Sequence, residues 1–177
     1  MRTRSWLLLT LPLAACGGDD DGAGDGDGVP PGAYCDPVAG FTTGALEDEI
    51  LALVNQHRAA GATCDGEAKP PVGPLTMHPA LRCAARAHSL DMHDRNFLDH
   101  TNPDGESPSD RMERAGYAWR AAGENIAVGN ATAAATMAQW MDSAGHCGNI
   151  MNGDYVHIGV GHVVDGALWT QVLGAPR

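Results

Sequence analysis

Basic residues are scarce in this chain of 177 residues, which has 11 Lys and Arg against 22 Asp and Glu and a formal net charge of −11. A surface with this charge repels phosphate groups, so nucleic acids and anionic lipid surfaces are disfavoured as partners. The chain also lacks an internal repeat, which favours one folded domain over a repeat array. We therefore expect a single domain, a monomer, with no nucleic-acid partner.

Long apolar runs are missing except near the N-terminus, where residues 6–13 follow Arg2 and Arg4. The run is too short to cross a bilayer comfortably as a helix, and its basic flank is typical of a secretion signal, predicted over residues 1–15. Residues 13–16 read Leu-Ala-Ala-Cys, which resembles the lipobox at which bacterial lipoproteins are cleaved and acylated. We expect Cys16 to carry a lipid that anchors the protein at a bacterial membrane, outside the cytoplasm, in the periplasm or at the cell surface.

Apolar side chains are absent from residues 17–28, which contain only Gly, Asp and one Ala. Such a segment buries no surface and repels itself, which predicts a flexible, lipid-anchored tether over residues 16–44. Its carboxylates are spaced loosely like those of a calcium loop, but the closing Glu of an EF-hand is missing, so a solvated linker is favoured. The folded domain is expected over residues 45–177.

Closely spaced cysteine pairs are also missing, which argues against a metal site built from cysteine alone. After Cys16 the chain has four cysteines, an even number that in an oxidising compartment predicts two disulfides with three possible pairings. One of them follows His146 directly and is an alternative nucleophile, although a cystine is favoured there. The four are Cys35, Cys64, Cys83 and Cys147.

The spacing of apolar residues predicts helices first and strands last. The predicted helices cover residues 46–60, 79–96, 107–115 and 131–144, with a loop over 62–74. A strand is expected at 125–128, and residues 156–161 and 167–173 are expected to form a β-hairpin around Asp165-Gly166. This order predicts an α+β domain in which helices cover an antiparallel sheet.

Three ionisable residues, His100, Glu124 and His146, each lie among turn-forming residues at the expected end of a helix or strand. Their side chains are types that bind Zn²⁺ or another divalent cation or transfer protons, so we expect them to line one cleft. Ser143 and His146 also form a candidate nucleophile and base, although capping and packing explain them equally well. The catalytic candidates are thus Glu124, Ser143 and His146. By contrast, His88 lies on an apolar helix face, which favours a hydrogen-bonded core imidazole over a metal ligand.

Seven motifs in order resemble the bacterial branch of the CAP superfamily (SCP domains), which groups cysteine-rich secretory proteins, antigen 5 and pathogenesis-related proteins. The resemblance covers roughly residues 45–174. It implies a three-layer α-β-α sandwich with a central antiparallel sheet, an extracellular location and a cleft lined by histidines and glutamates. The motifs are residues 54–58, 87–92, 97–100, 123–126, 143–151, 158–161 and 169–172.

The resemblance transfers only part of the family's set of two histidines and two glutamates. His100 and Glu124 match, whereas Ala144 and Leu168 stand where the second glutamate and second histidine are expected. The resemblance implies that His146 reaches the same cavity from the Ser-x-Gly-His motif.

These observations favour an exported binding or interaction module whose cleft holds a divalent metal or a small lipid, sterol or glycan; lipid and sterol come from the resemblance. A metal-assisted hydrolase is an alternative, because two imidazoles and one carboxylate leave a zinc position open for water. Against it, the chain lacks an H-E-x-x-H helix and a spare acid to act as general base. A second alternative is a structural cluster of hydrogen bonds.

Overall fold

A computed structural model describes residues 31–41 and 43–177 of the chain. The predicted signal segment, Cys16 and the tether up to residue 30 lie outside the described residues. Within the described ranges, no helix combines the length and the apolar character needed to cross a bilayer.

The described residues form six α-helices and six β-strands, with short 3-10 turns at Asp36–Val38 and Asp165–Ala167. The helices are α1 (Pro31–Cys35), α2 (Gly44–Ala60), α3 (Pro79–Arg95), α4 (Pro108–Arg114), α5 (Ala133–Met141) and α6 (Ala144–Ile150). The strands are β1 (Ala62–Cys64), β2 (Glu67–Lys69), β3 (Thr76–Met77), β4 (Trp119–Val128), β5 (His157–Val163) and β6 (Leu168–Pro176).

The main sheet has four strands in the order β3-β5-β6-β4. Strands β4, β6 and β5 are antiparallel, and the short β3 joins β5 in parallel. The predicted hairpin is confirmed as β5 and β6, and the predicted α+β fold with its central antiparallel sheet is confirmed as well. Because β4 is an edge strand, the backbone groups on its outer side have no neighbouring strand in this sheet.

Helices cover both faces of this sheet, which makes three layers. Ile158 and Val160 of β5 pack with α2, α5 and α6 in the larger apolar cluster, around Trp140 and Trp169. Val172 of β6 faces the other way, toward α3 and α4. This alternation follows from the two-residue period of a strand, and it confirms the α-β-α sandwich.

Two glycines of β5 let α3 lie directly on the sheet. A Cβ atom at Gly159 would come within 2.0 Å of the Leu81 carbonyl carbon, and one at Gly161 within 2.4 Å of the Ala85 carbonyl carbon. Both contacts are with helix backbone, which cannot move aside as a side chain can. The glycines therefore fix the depth at which α3 sits.

Two sequence predictions need correction. Residues 62–74 are not all loop: β1 and β2 form a hairpin in which Asp65 and Gly66 have φ of 49° and 82°. Asp-Gly is a typical pair for a two-residue hairpin turn, so the signal was present in the sequence. The helix predicted over 131–144 ends at Met141, because Ser143 is extended (φ −102°, ψ 125°) and a separate helix, α6, begins at Ala144.

The two predicted disulfides are confirmed, as Cys35–Cys83 and Cys64–Cys147. The first joins the N-terminal segment to α3, and Val38 is buried in a small apolar cluster with Cys83. Part of the segment predicted as tether, which was expected to run to residue 44, is thus packed on the domain. The physical reason is the covalent bond together with burial of apolar surface.

We predict that Gly161→Ala lowers the free energy of unfolding by about 3 kcal/mol, because the added methyl group overlaps the backbone of α3. Urea denaturation followed by circular dichroism measures this change. Gly148→Ala is the control, since a Cβ there meets no atom within 4 Å. Equal stability of the two variants would show that α3 does not lie this close to β5.

Candidate functional site

The centre of the predicted site is Glu124 in β4, whose side chain is only 1% exposed. Its Oε2 accepts a hydrogen bond from Arg111 at 2.8 Å, and its Oε1 accepts one from Nδ1 of His100 at 2.9 Å. The Arg111 side chain is 2% exposed, so the ion pair is buried. Both carboxylate oxygens are therefore engaged by cationic or hydrogen-bonding partners within the protein.

Arg111 also holds the loop that carries His100. Its Nη2 donates to the carbonyl oxygen of His100 at 2.8 Å, and its Nη1 donates to that of Glu106 at 3.0 Å. Within the loop, Asn102 Oδ1 accepts from the backbone N–H groups of Asp104 and Glu106. One guanidinium thus connects α4, this loop and β4.

The sequence analysis did not identify Arg111. A signal was available, because α4 was correctly predicted from its Ser107 cap, and Arg111 lies beside the apolar residues Met112 and Ala115 at its inner side. A charged residue next to apolar residues on the inner side of a helix requires a partner, and the acid Glu124 was available to provide one.

His88 of α3 is completely buried and lies 3.8 Å, measured from its Nε2, from Oε1 of Glu124. Its Nε2 also lies 2.9 Å from the carbonyl oxygen of Asp99. Because a carbonyl can only accept, this ring nitrogen carries the proton, and Nδ1 has a free lone pair. Burial lowers the pKa of His88, which keeps the ring neutral. The prediction of a hydrogen-bonded core imidazole is confirmed.

Each residue of the Gly123-Glu124-Asn125 motif makes a different contact. A Cβ at Gly123 would lie 2.6 Å from the Tyr155 hydroxyl, so only glycine fits beside that ring. Glu124 faces α3 and α4, as described above. Asn125 faces the opposite side, where its Nδ2 donates to the side chain of Gln171 at 2.8 Å and to the carbonyl oxygen of His146 at 3.2 Å.

His146 therefore approaches β4 from the opposite side to Glu124. It lies in the first turn of α6, in the layer with α2 and α5. His100 is still near enough for its charge to lower the pKa of His146, after the larger effect of burial. The two imidazoles are therefore close enough to interact, although their segments approach β4 from opposite sides.

This arrangement does not fit a zinc site. Among the described residues, no group of three or more His, Cys, Asp and Glu side chains is placed to hold a metal ion. In addition, the Arg111 guanidinium beside Glu124 would repel a cation. The metal set of His100, Glu124 and His146 stays a prediction that these contacts do not favour.

The candidate nucleophiles are also not activated. Ser143 precedes α6 without capping it through its side chain, and no hydrogen bond joins Ser143 to His146 within the described ranges. Cys147 is bonded to Cys64, so it is not a free thiol. The arrangement lacks the hydrogen-bonded nucleophile and base that acyl transfer requires.

The pKa values of the two site histidines are shifted in opposite directions. The hydrogen bond to Glu124, and then the charge of that residue, raise the pKa of His100, which is 47% exposed. Burial lowers the pKa of His146. In the pH range between the two values, the edge of β4 carries one imidazolium and one neutral imidazole.

Comparisons with known proteins agree with this fold. The sequence pattern of the family described as "CAP: Cysteine-rich secretory protein family" matches residues 51–173. The chain is 40% identical over 127 residues to the uncharacterised protein YkwD of Bacillus subtilis, which covers 72% of this chain and 46% of that protein. It is 33% identical over 125 residues to the uncharacterised membrane protein YlbC of the same organism. This match covers 71% of this chain and 33% of YlbC. The chain thus spans less than half the length of these curated relatives.

Solved structures show the same architecture. An extracellular protein containing an SCP domain from Bacillus anthracis superposes with a TM-score of 0.65 at 27% identity, over 74% of this chain and 40% of that one. An outer surface protein of Borrelia burgdorferi superposes with a TM-score of 0.67 at 16% identity, over 77% of this chain and 97% of that one. At such low identity the second similarity concerns the fold alone.

We predict that His100 titrates above the ordinary histidine pKa of about 6.5 and His146 below it. Protonated His100 stabilises the fold, and this contribution is present below about pH 6.5 and lost as the pH rises through its folded pKa. NMR of the ring protons measures both values. Glu124→Gln should lower the pKa of His100, whereas Glu113→Gln should not. An unshifted His100 in Glu124→Gln would contradict the ion pair.

We also predict that Arg111→Met lowers the free energy of unfolding by about 3–5 kcal/mol, because it leaves the Glu124 carboxylate buried without a partner. Arg114→Met is the control: Arg114 is paired with Glu106 at the surface, and its loss should cost less than about 1 kcal/mol. Adding Glu124→Met to Arg111→Met should recover stability. A double variant less stable than Arg111→Met would refute this account.

Proposed function

The chain belongs to the CAP family of cysteine-rich secretory proteins, and from this premise we propose that it acts outside the cytoplasm as a binding module. A lipid on Cys16 holds it at a membrane. Its two disulfides support an oxidising location, where such bonds persist. The extracellular and outer-surface proteins of similar fold support the same location.

The observation that carries the proposal is that both carboxylate oxygens of Glu124 already have hydrogen-bond partners. A general base needs a free carboxylate oxygen close to water, and a zinc ligand needs one that faces the metal. Here Oε1 and Oε2 are bound by His100 and Arg111. The geometry therefore supports a fixed polar framework. It does not support Glu124 as a general base or as a zinc ligand.

The framework has a role in binding because it determines where the surface groups lie. Arg111 holds the loop of residues 99–106 through two carbonyl oxygens, and Glu124 orients the half-exposed ring of His100. Recognition residues commonly lie on loops that a rigid scaffold positions. The structural cluster and the binding module are thus two aspects of one arrangement.

We expect zinc, titrated by calorimetry after chelator treatment, to bind the unaltered protein no more tightly than it binds the His100→Ala and His146→Ala variants. The reason is that Arg111 already compensates the charge of Glu124. Peptide, ester and cell-wall substrates should not be turned over. High-affinity zinc binding that weakens more than tenfold in both variants, or turnover that Glu124→Gln abolishes in a folded protein, would replace this proposal with a metal site or a hydrolase.

A further inference from the structure

A cavity of about 200 Å³ lies on the α3 and α4 side of the sheet, and neither His100 nor His146 is among its lining residues. Its walls include His88 of α3, Arg111 of α4 and Tyr34 of α1. A second cavity, of about 500 Å³, shares Tyr34 and Arg114 with it and adds the apolar residues Val38 and Leu90. A polar inner chamber thus adjoins a wider, more apolar one.

Two residues that line the inner cavity each have a buried polar side-chain atom with no hydrogen-bond partner among the described residues. The atoms are Nδ1 of His88 and Nε of Arg111. Both side chains are at least nine-tenths buried, at 0% and 2% exposure. Leaving such groups unsatisfied is unfavourable, so a molecule in the cavity that bonds to them is favoured.

The chemistry of the two atoms is complementary. The contact of His88 Nε2 with the Asp99 carbonyl places the ring proton on that nitrogen, so Nδ1 is an acceptor. Arg111 Nε carries a hydrogen and can only donate. A ligand with hydroxyl groups suits both atoms, since a hydroxyl hydrogen is donated to His88 and a hydroxyl oxygen accepts from Arg111.

The charges of the walls favour an uncharged ligand. Three arginines and three acidic residues line the cavity, so their formal charges cancel. They are also paired with one another: Arg95 with Asp91 and Asp104, and Arg114 with Glu106. A cation would meet Arg111, and an anion would meet the carboxylates and the lone pair of His88.

We propose that this cavity binds one ring of a neutral sugar or polyol, whose hydroxyl groups donate to His88 Nδ1 and accept from Arg111 Nε. Tyr34 supplies a further hydroxyl at the boundary of the two cavities, and Arg114 lies over its ring, 5.1 Å from the centroid. Burial raises the pKa of Tyr34, so its phenol stays neutral. This proposal rests on the proposed binding function and names its ligand class. The cavity is lined by neither His100 nor His146.

The test is an NMR titration of the ¹⁵N-labelled protein with glucose, N-acetylglucosamine and myo-inositol, and with glucuronate as a charged counterpart. We expect saturable shifts at Tyr34 and Asn102 for at least one neutral probe, and at least tenfold weaker binding of glucuronate. No saturable binding of any neutral probe, or tighter binding of glucuronate, would overturn the proposal.

Ala87 lines both cavities and is not a partner of Glu124, so Ala87→Leu is the variant that fills them. It should weaken binding more than tenfold, whereas Ala134→Leu, on an exposed position of α5, should not. If Ala87→Leu does not fold, His88→Gln tests the same contact. Unchanged binding in the folded variant, or a crystal structure soaked with the neutral probes that shows only ordered water on His88 Nδ1 and Arg111 Nε, would refute the assignment.

These outcomes are separate from those of the proposed function. Zinc binding or hydrolysis that depends on Glu124 would overturn the binding-module proposal even if sugars bind beside α3. Conversely, absence of sugar binding with no zinc affinity and no turnover would leave that proposal standing and remove only this ligand class.

Discussion

The buried ion pair of Arg111 and Glu124 is the contact on which the local structure depends. A carboxylate and a guanidinium that leave water together are tolerated only when their remaining hydrogen-bonding groups also find partners. That requirement accounts for the loop carbonyls bound by Arg111 and for the position of His100. The Nε–H of Arg111 does not meet this requirement, because it has no hydrogen-bond partner among the described residues.

The polar residues of the site lie on both faces of β4, because side chains alternate along a strand. Glu124 and Asn125 are neighbours in sequence, so their side chains leave the strand in opposite directions. One organises α3, α4 and the His100 loop, and the other organises α6 through the backbone of His146. The family resemblance grouped the motif residues as one cleft, whereas the strand separates their side chains into two polar networks on opposite faces.

Much of the fold was predictable, because long amphipathic helices and an alternating hairpin leave clear periodic signals. Strand β4 was predicted only from residue 125, although it starts at Trp119, since Ala121, Ala122 and Gly123 have little strand propensity. The partners of Glu124 were harder to predict. Arg111 lies 13 positions away in sequence, and its place beside Met112 and Ala115 indicates burial but does not identify Glu124 as its partner.

The Cys35–Cys83 bond has a mechanical consequence. A load applied to the chain upstream of Cys35 passes through the sulfur atoms into α3 and bypasses residues 36–82, which contain α2 and the small hairpin. Helix α3 in turn lies on the backbone of β5 at Gly159 and Gly161. Tension from any membrane attachment would therefore enter the molecule at the centre of its sheet, leaving the outer layer with α2 unstrained.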